Sequence, residues 1–382
     1  MIIDNGSHSL KFGLSTQDAP DQVIPSFARY SKIQTKIFDE SASNFHSDFS
    51  FGSKIFNDID DKTRIEPLVN AGEIVSFDAV MKVYNEVFKR SYKLKNQNTI
   101  FFICHSIQSN PSNANSTLFE HFFEKMEAAV LGLAPQVVLE LFSAGLTSGL
   151  VVDVGHGRTQ IAPIVEGMIL KNKKSMEKLS GSTVNHHMAN IFKADSRTRK
   201  NIPLFDQLKQ RLFEFEYRQF SRILDERDMM ESSENFFATS NPVNYYSLPD
   251  GTVIYLKDIQ DSINSVFFSE KDNLPTAIQG AIDVSVYKKI DKLLTQNLII
   301  SGGVTNSFQF AEYVESGLNS LKFRYLEGSF KAQTLKSKPE YSAWTGAKIV
   351  SSLPGANAYL VTRSEYEEIG PRIFSQYRHE YS

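Results

Sequence analysis

The stretches MIIDNGSHSL (1–10) and GLVVDVGHGRTQI (149–161) share one pattern, and this repeated pattern decides the fold. In each stretch an apolar strand ends in an aspartate, Asp4 or Asp153, and a glycine turn that contains a histidine follows. A glycine turn lets the backbone approach a ligand closely, and its N–H groups can hold a phosphate. A carboxylate at each strand end can hold the waters of a magnesium ion. Two such turns that face each other would hold one polyphosphate from both sides.

The composition limits the classes of function. With 382 residues, the chain exceeds what one hydrophobic core usually holds, which favours two domains or a duplicated unit. A net charge of −3 argues against direct, sequence-specific binding to nucleic acid. Because no apolar run reaches membrane-spanning length, we expect no membrane partner. Cys104 is the only cysteine and lies in an apolar run, so we expect it to be buried rather than reactive.

The pattern of apolar residues predicts alternating helices and strands in both halves. A helical stripe begins at Phe77, and TIFFICHS (99–106) reads as a buried strand. We expect a helix over 116–132, a hairpin in YSLPDGTVIYL (246–256) and a buried strand in NLIISGGVTN (297–306). Because strand, glycine turn and strand occurs twice, an α/β fold of two related halves follows, with the ligand in the cleft between the turns.

Seven blocks of the sequence, in family order and at near-family spacing, carry a resemblance to actin and the actin-related proteins over nearly the whole chain. They are DNGSHSLKFGL (4–14), DAPDQVIPS (18–26), VVDVGHGRTQIAPIVEG (151–167), YSLPDGTVIYL (246–256), LIISGGVTN (298–306), YSAWTGAKIVSSL (341–353) and SEYEEIGPRIF (364–374). The resemblance implies the two-lobed actin-like ATPase fold, in which duplicated mixed-sheet α/β domains enclose a nucleotide cleft.

The resemblance also implies how the chain is divided. Residues 1–145 correspond to a first lobe, actin-like subdomains 1 and 2, within which 31–66 is a divergent subunit-contact region. Residues 146–340 correspond to the second lobe, subdomains 3 and 4. Residues 341–382 are expected to return to the first lobe.

The site residues are carried over from the family position by position. ATP or ADP with magnesium is the implied cofactor, and Asp4 and Asp153 would hold the metal through water. Gln136 matches the glutamine that positions the attacking water, so Gln136 and Asp153 are the candidate catalytic residues. The alternative for the aspartates is strand-end capping, and for Lys209 it is a solvated helix lysine. The candidate cofactor-binding residues are Asp4, Gly6, Ser7, Lys11, Gly155, Gly157, Gly181, Lys209, Gly302 and Gly303.

Departures from the family cluster in this same site. His8 stands where the family usually has a glycine, His156 replaces an aspartate, and Gln160 replaces a histidine that helps to orient the hydrolytic water. Asp206 and Gln210 replace charged groups near the nucleoside. Loss of a water-orienting group belongs to a class of effects worth ~10² to 10⁴ in rate, so we expect weak or absent ATP hydrolysis. The alternative is that both histidines point to solvent and the site works normally.

Two kinds of protein-contact surface differ from the family pattern to different extents. Residues 31–52 share almost nothing with the family's subunit-contacting loop, and EKDNLPTAIQG (270–280) lacks the apolar plug of filaments, which predicts a non-filamentous protein. By contrast, a groove that in the family accepts an amphipathic helix keeps apolar residues, and the alternative for each of them is plain core packing. The candidate groove residues are Phe142, Gly145, Met168, Val350 and Tyr359.

These observations favour a structural or regulatory subunit of a nuclear chromatin-remodelling complex. Its expected partners are a helical segment of the remodeller's ATPase subunit and a second actin-related protein, and its expected location is the nucleus. A short likeness of the NGSH turn and of Lys171 and Asn172 to divergent nuclear members of the family supports this hypothesis. The alternative is a cytoskeletal actin-related protein, such as an ATP-binding, dynactin-like or filament-associated subunit. A sugar kinase or chaperone of the wider fold is a third hypothesis, which the actin-type block 364–374 does not favour.

Overall fold

An alternation of strands and helices organises the part of the chain that the computed structural model describes. That part comprises residues 1–32, 47–52, 55, 63–107, 114–170, 173–191, 245–247, 253–269, 273–282, 288–307, 309–323, 329–333, 335 and 337–373. The strands are β1 Ile2–Asn5, β2 Ser9–Gly13, β3 Gln22–Pro25, β4 Phe27–Lys32, β5 Ser47–Phe51, β6 Thr63–Pro67, β7 Val69–Asn70, β8 Glu73–Ile74, β9 Ile100–His105, β10 Val130–Pro135, β11 Gly149–Val154, β12 Thr159–Val165, β13 Met168–Ile169, β14 Lys174–Met176, β15 Tyr245–Ser247, β16 Val253–Tyr255, β17 Leu298–Ser301 and β18 Leu360–Thr362. The α-helices are α1 Phe77–Glu86, α2 Ala114–Glu120, α3 Gln136–Ser143, α4 Gly181–Ile191, α5 Leu256–Asn264, α6 Leu274–Ile282, α7 Lys288–Gln296, α8 Phe310–Ser320, α9 Ser342–Ser351 and α10 Arg363–Ile369. The predicted α/β fold is confirmed.

The first large sheet places the aspartate of the first repeat opposite a lysine. Its strand order is β18-β10-β9-β1-β2-β3. The antiparallel register of β1 and β2 pairs Asp4 with Lys11, while the parallel register of β1 and β9 pairs Asp4 with Cys104. Strand β18 pairs with β10, so a segment near the end of the chain joins the first sheet, as the expected return of 341–382 requires. The lobe boundaries stay a prediction.

The second sheet repeats this arrangement. Its order is β13-β12-β11-β17, and β14 also pairs with β12. The antiparallel register of β11 and β12 pairs Asp153 with Gln160, and the parallel register of β11 and β17 pairs Asp153 with Ser301. Each half therefore has an aspartate on a strand with an antiparallel hairpin partner on one side and a parallel neighbour on the other. The predicted duplication is confirmed.

Helix α3 packs between the cores of the two sheets. Its Leu139 belongs to a buried cluster that contains Ile2 of the first sheet, and its Val138 belongs to a cluster that contains Val151 of the second. The apolar helix is therefore buried on both sides, and its first residue, Gln136, lies at the junction. Burial on both sides explains why most of α3 is apolar, and its polar residues Gln136, Glu140 and Ser143 are buried as well.

Several predicted elements can be compared with the described residues. The helix from Phe77, the strand in 99–106, the hairpin in 246–256 and the burial of Cys104 are confirmed. The helix predicted over 116–132 is wrong at its end, because a π-helical turn at His121–Lys125 finishes it and β10 already begins at Val130. Glu127, with a φ of 55°, adopts the left-handed conformation that a continuing helix excludes.

The expectation for the subunit-contact region is tested only in part. Strands β4, β5 and β6 form a three-stranded sheet there, and residues 33–46, 53–54 and 56–62 lie outside the described residues. Residues 270–272 of the predicted plug region also lie outside them. The prediction of a non-filamentous protein therefore stays a prediction. None of the described helices combines the length and the apolar character that are needed to cross a membrane.

Candidate functional site

The two repeated aspartates belong to one buried polar network. Lys11 Nζ donates to Asp4 Oδ2 at 2.7 Å, and Gln136 Nε2 donates to Asp4 Oδ1 at 2.7 Å. Gln160 Nε2 donates to Asp153 Oδ2 at 2.7 Å and lies 3.5 Å from Gln136 Oε1. Hydrogen bonds therefore link the end of β1 to the end of β11 through the start of α3. The structure brings together Asp4, Lys11, Gln136 and Asp153, as the sequence predicts.

The two glycine turns face each other and touch. A Cβ added to Gly157 would lie 2.6 Å from Ser7 Oγ and 2.7 Å from the backbone N of Ala71, which is closer than real Cβ atoms approach. Ser7 Oγ in turn accepts a hydrogen bond from the Gly72 N–H at 3.2 Å. Glycine is therefore required at 157 because the second turn packs directly against the first.

The glycines after β17 border the second aspartate. Gly302 has a φ of 96°, and a Cβ there would meet the carbonyl oxygen of Val154 and lie 2.6 Å from Asp153 Oδ1. Gly303 begins a 3₁₀ turn, where a Cβ would lie 3.9 Å from Glu340 Cβ. The sequence prediction that these glycines lie at the site is consistent with this placement. Their proposed contacts with a nucleoside stay predictions.

The remaining predicted positions lie around the same turns. A Cβ on Gly6 would lie 2.7 Å from the carbonyl oxygen of Ser9 and 3.5 Å from Lys11 Nζ. Gly181, at the start of α4, donates its N–H to the carbonyl oxygen of Gly155 at 3.0 Å. These glycines therefore fix the shape of the two glycine turns. The positions near the nucleoside that lie outside the described residues are Asp206, Lys209 and Gln210.

Gln160 connects both halves of the molecule, a role that the sequence analysis missed. Its Oε1 accepts from Ser106 Oγ at 2.9 Å and from the Ile107 N–H at 2.6 Å, while its Nε2 donates to Asp153. An amide has two donors and one oxygen with two acceptor sites, so this side chain is almost fully used. A signal existed in the sequence: Gln160 follows Asp153 by seven residues, just as Lys11 follows Asp4.

Replacing Gln160 with leucine should loosen the contact between residues 106–107 and β12. The substitution keeps the volume but removes the acceptor of the Ile107 N–H and the donor to Asp153. Unpaired buried groups cost about 1–3 kcal/mol, which corresponds to roughly 5-fold to 150-fold faster exchange of the Ile107 amide hydrogen if that amide exchanges through local opening. Hydrogen exchange read at Ile107 measures this. Gln97→Leu, which removes an exposed bond to Glu127, should leave the rate unchanged; equal rates in both variants would contradict the linking role.

The two unusual histidines meet across the turns. The ring centroids of His8 and His156 are 5.7 Å apart, at an interplanar angle of 67°. Both side chains are half-buried, and their backbones are held by bonds from Ser26 N to His8 O and from Ser182 N to His156 O. The two rings therefore do not both point away into solvent, and the other part of that alternative, a site that works normally, is not tested by their placement. The two imidazole rings add bulk between the turns.

A third buried carboxyl group, Glu140 on α3, lies near the aspartates and was also missed. Its side chain is 3% exposed, and its Oε2 has no hydrogen-bond partner among the described residues. Burial raises the pKa of Glu140 well above its usual value, and the charges of Asp153 and Asp4 raise it further. Burial also raises the pKa of Asp153 to about 6, against the opposing hydrogen bond from Gln160. Burial lowers the pKa of Lys11, but the carboxylate of Asp4 outweighs it and the net shift is upward.

This charge pattern suits a hydrated divalent cation. The described residues contain no cluster of three or more histidine, cysteine, aspartate or glutamate side chains that could hold a metal directly. Asp4 and Asp153 supply two carboxylates, and magnesium usually binds through one or two carboxylates and keeps several waters. A cation there would favour the ionised form of Asp153, whose pKa is raised by burial first and by the charge of Asp4 second. The residues present therefore fit a magnesium ion that is held through water.

Replacing Glu140 with glutamine should make the protein more stable at high pH. A carboxyl whose folded-state pKa is raised favours folding only while it is protonated, so its ionisation destabilises the folded state as pH rises. We expect the unfolding free energy of the parent chain to fall between pH 5 and pH 8, and the fall to be smaller in Glu140→Gln. Urea denaturation across this range, without nucleotide, measures it.

Glu365→Gln is the matched control for that experiment. Glu365 is exposed, and its hydrogen bonds with Thr362 lower its pKa. Its pH dependence is therefore opposite to that of Glu140: its contribution to the stability of the folded state is lost as pH falls. The control should therefore retain the parent's loss of stability towards pH 8. A pH profile of Glu140→Gln that coincides with that of the parent would contradict an ionising, buried Glu140.

The predicted groove residues gather around one end of α3. Phe142 and Tyr359 pack, half-buried, against the cluster that contains Val350. A Cβ on Gly167 would lie 3.4 Å from Phe142 Cζ, so the turn that carries Met168 lies beside Phe142. Gly145, with a φ of 76°, has open space where a Cβ would project. The predicted residues are therefore neighbours, but they are not equally accessible.

Val350 does not line the groove, and that prediction is wrong. It is 3% exposed because it lies on the inner face of α9. Val350 therefore packs in the core, which was the alternative prediction for this residue. The exposed positions are its neighbours Ile349, at 37%, and Leu353, at 53%, together with Met168, at 55%. Ile349 lies on α9 and Leu353 follows the end of that helix at Ser351, so helical spacing does not connect the two positions and gave no signal for them.

Comparison with known proteins extends the likeness over both halves of the chain. The family model described as Actin matches residues 1–379. Actin-like protein 7A of Bos taurus is 26% identical over 381 residues, which cover 97% of this chain and 81% of that protein. Actin-like protein 7A of Rattus norvegicus is 24% identical over 383 residues, with the same shares. Actin-like protein 7B of Rattus norvegicus is 22% identical over 378 residues, which cover 97% of this chain and 86% of that protein.

Proposed function

The chain belongs to the actin family, and from this premise we propose that it is a structural or regulatory subunit of a larger assembly. In this role it binds a helical segment of a partner and turns over little or no ATP. The observation that carries the proposal is the apolar region around the half-buried Phe142 and Tyr359, where Met168, in the turn beside Phe142, is 55% exposed. Ile349 and Leu353, on α9 and just after its end, are further exposed apolar side chains. Clustered exposed apolar side chains are typical of sites that bind other proteins.

An amphipathic helix is the occupant that suits this surface. Such a helix presents apolar side chains three and four residues apart, and it binds in grooves that have an apolar floor. Phe142 and Tyr359 supply a half-buried aromatic floor, and Gly145 leaves space beside it. Leu353 and Met168 are each more than half exposed, so a bound helix would bury more apolar surface on them than on the half-buried residues.

ATP or ADP with magnesium is the proposed cofactor, since the phosphate and metal side of the site fits it. Asp4 and Asp153 would hold the hydrated cation, and the backbone around Gly157 and Gly6 would lie against the phosphates. When bound, the nucleotide and metal supply a polyphosphate chain and a divalent charge between the two halves. The nucleoside side of the site includes Lys209, which lies outside the described residues.

Slow hydrolysis is expected because the groups near the proposed phosphate are engaged with one another. Gln136 donates to Asp4 and its oxygen faces Gln160, so its amide is not free to orient a water molecule. Gln160 itself cannot accept a proton near neutral pH, since a side-chain amide is not basic. The cleft is therefore better suited to holding the halves together than to catalysis.

We propose a nuclear chromatin-remodelling complex as the assembly. The helical segment would come from its ATPase subunit, and a second actin-related protein would be a neighbour. Support comes from the sequence likeness of the NGSH turn and of Lys171 and Asn172 to nuclear members of the family. A net charge of −3 leaves contact with DNA to other subunits.

Affinity purification of the full chain, followed by mass spectrometry of nuclear and cytoplasmic fractions, tests this function. The parent chain should recover remodeller subunits from nuclei, and Leu353→Asp should recover at least about tenfold less, because it places a charge in the apolar contact. Val75→Asp, at an equally exposed apolar position outside the groove, should bind as the parent does. Recovery of dynactin or actin-nucleation subunits, or equal recovery by both variants, would overturn the proposal.

A further inference from the structure

Arg158, in the second glycine turn, is a buried cation with an incomplete set of partners. Its side chain is 9% exposed. Nη1 donates to the carbonyl oxygen of Ile107 at 3.2 Å, and Nη2 lies 4.0 Å from the carboxylate of Glu177, whose side chain is 74% exposed. Its Nε is fully buried and has no hydrogen-bond partner among the described residues.

This pairing is weak for a guanidinium group in such a place. Burying a charge is costly unless it is closely paired, and a contact with an exposed carboxylate at this distance contributes little. Lys11, the other buried cation in the described part of the chain, is paired with Asp4 at 2.7 Å. The charge of Lys11 is thus already matched within the protein, whereas that of Arg158 is not.

The unpartnered nitrogen lies beside Gly72, in the turn between β7 and β8, and Gly72 is bonded to the first glycine turn. A Cβ on Gly72 would be 3.7 Å from Arg158 Nε, and the N–H of Gly72 donates to Ser7 Oγ. Gly157, the residue before Arg158, packs against the same Ser7 oxygen. Since Ser7 accepts the bond from Gly72, its hydroxyl keeps a hydrogen to donate. The guanidinium N–H of Arg158 and the hydroxyl of Ser7 therefore both lie next to Gly72.

We propose that Arg158 binds a phosphoryl oxygen at the back of this cleft, with the Ser7 hydroxyl as a second donor. The phosphoryl group would be either the terminal phosphate of a bound nucleoside triphosphate or a free inorganic phosphate beside a diphosphate. An anion there would pair the buried charge and satisfy Nε, and guanidinium–phosphate hydrogen bonds are charge-assisted. The inference rests on the proposed nucleotide cleft, and it is independent of the proposed partner groove.

Calorimetric titration of the full chain with magnesium present tests the contact through binding rather than turnover. The probes are ATP, ADP, and inorganic phosphate added to the ADP-saturated protein. Arg158→Gln should weaken ATP binding at least tenfold and change ADP binding less than twofold if the terminal phosphate is the ligand. If free phosphate is the ligand, Arg158→Gln should abolish phosphate binding to the ADP complex. Arg90→Gln, at a side chain that is 78% exposed, should bind all three probes as the parent does.

Two further measurements keep the test decisive. Arg158→Lys retains the charge with a single donor group, so it should show a smaller loss of ATP or phosphate binding than Arg158→Gln, and it replaces that variant if Arg158→Gln does not fold. Equal weakening of ATP and ADP would mean that Arg158 only braces the turn, and this would overturn the proposal. Unchanged affinities, or a parent chain that binds none of the three probes, would also overturn it. The purification of partners with Arg158→Gln should still succeed, which separates failure here from failure of the proposed function.

Discussion

Lys11→Met should lower the free energy of unfolding by about 3–5 kcal/mol, the usual cost of leaving one buried charge without its partner. Methionine keeps most of the side-chain volume, so the loss reports the charge rather than a cavity. Asp4 is 2% exposed and, among the residues that the structure describes, would keep only the hydrogen bond from Gln136. Denaturation by urea, monitored through the fluorescence of the single tryptophan, Trp344, measures the change.

Lys348→Met is the matched control, because its ion pair is nearly as short but lies at the surface. Lys348 Nζ is 2.8 Å from Asp18 Oδ1, compared with 2.7 Å for Lys11 and Asp4, and the Asp18 side chain is fully exposed. Water and salt screen such a pair, so its loss should change stability little. If both variants lost the same stability, burial of the Asp4 pair would not be what makes it important.

Gly346→Ala should destabilise the protein by about 3 kcal/mol or prevent folding, at the upper end of the cost of overpacking. Gly346 lies on α9 where that helix touches α3, and an added Cβ would collide with the backbone carbonyl group of Leu139. A backbone atom cannot rotate away as a side chain can, so the two helices would have to separate. Since α3 packs between the cores of both sheets, the strain would reach both.

Gly355→Ala controls for the general effect of adding a methyl group to a glycine. A Cβ at Gly355 would meet nothing within 4 Å, so this change should be neutral or slightly stabilising through the unfolded chain. The same denaturation measurement compares the two. A Gly346→Ala protein as stable as Gly355→Ala would contradict the close contact of α3 and α9.

The fold could be predicted from the sequence because the pattern that defines it occurs twice along the chain. An apolar strand, an aspartate and a glycine turn occur in both halves, and the registers that pair Asp4 with Lys11 and Asp153 with Gln160 follow from that repeat. Elements that depend on backbone conformation were harder to predict. The apolar pattern after 116 continues past the point where Glu127, with its positive φ, ends the helix.

Site residues that belong to a family motif could be predicted from the sequence. Site residues whose contacts come from distant segments of the chain could not. The sequence comparison treated Gln160 as the loss of a histidine, but its bonds to Ser106 and Ile107 depend on how segments more than fifty residues apart approach each other. Glu140 and Arg158 were missed for the same reason. Each is an ionisable side chain whose burial becomes visible only in the folded chain.

In our proposal the bonded network of Asp4, Gln136, Asp153 and Gln160 holds the two halves together instead of serving turnover. Phosphate release from magnesium ATP by the purified full chain, measured beside actin under the same conditions, is the decisive measurement. We expect release slower than that of actin by on the order of 10² or more, the scale of losing a positioned water and its proton acceptor. Release at or above the rate of actin would contradict this proposal.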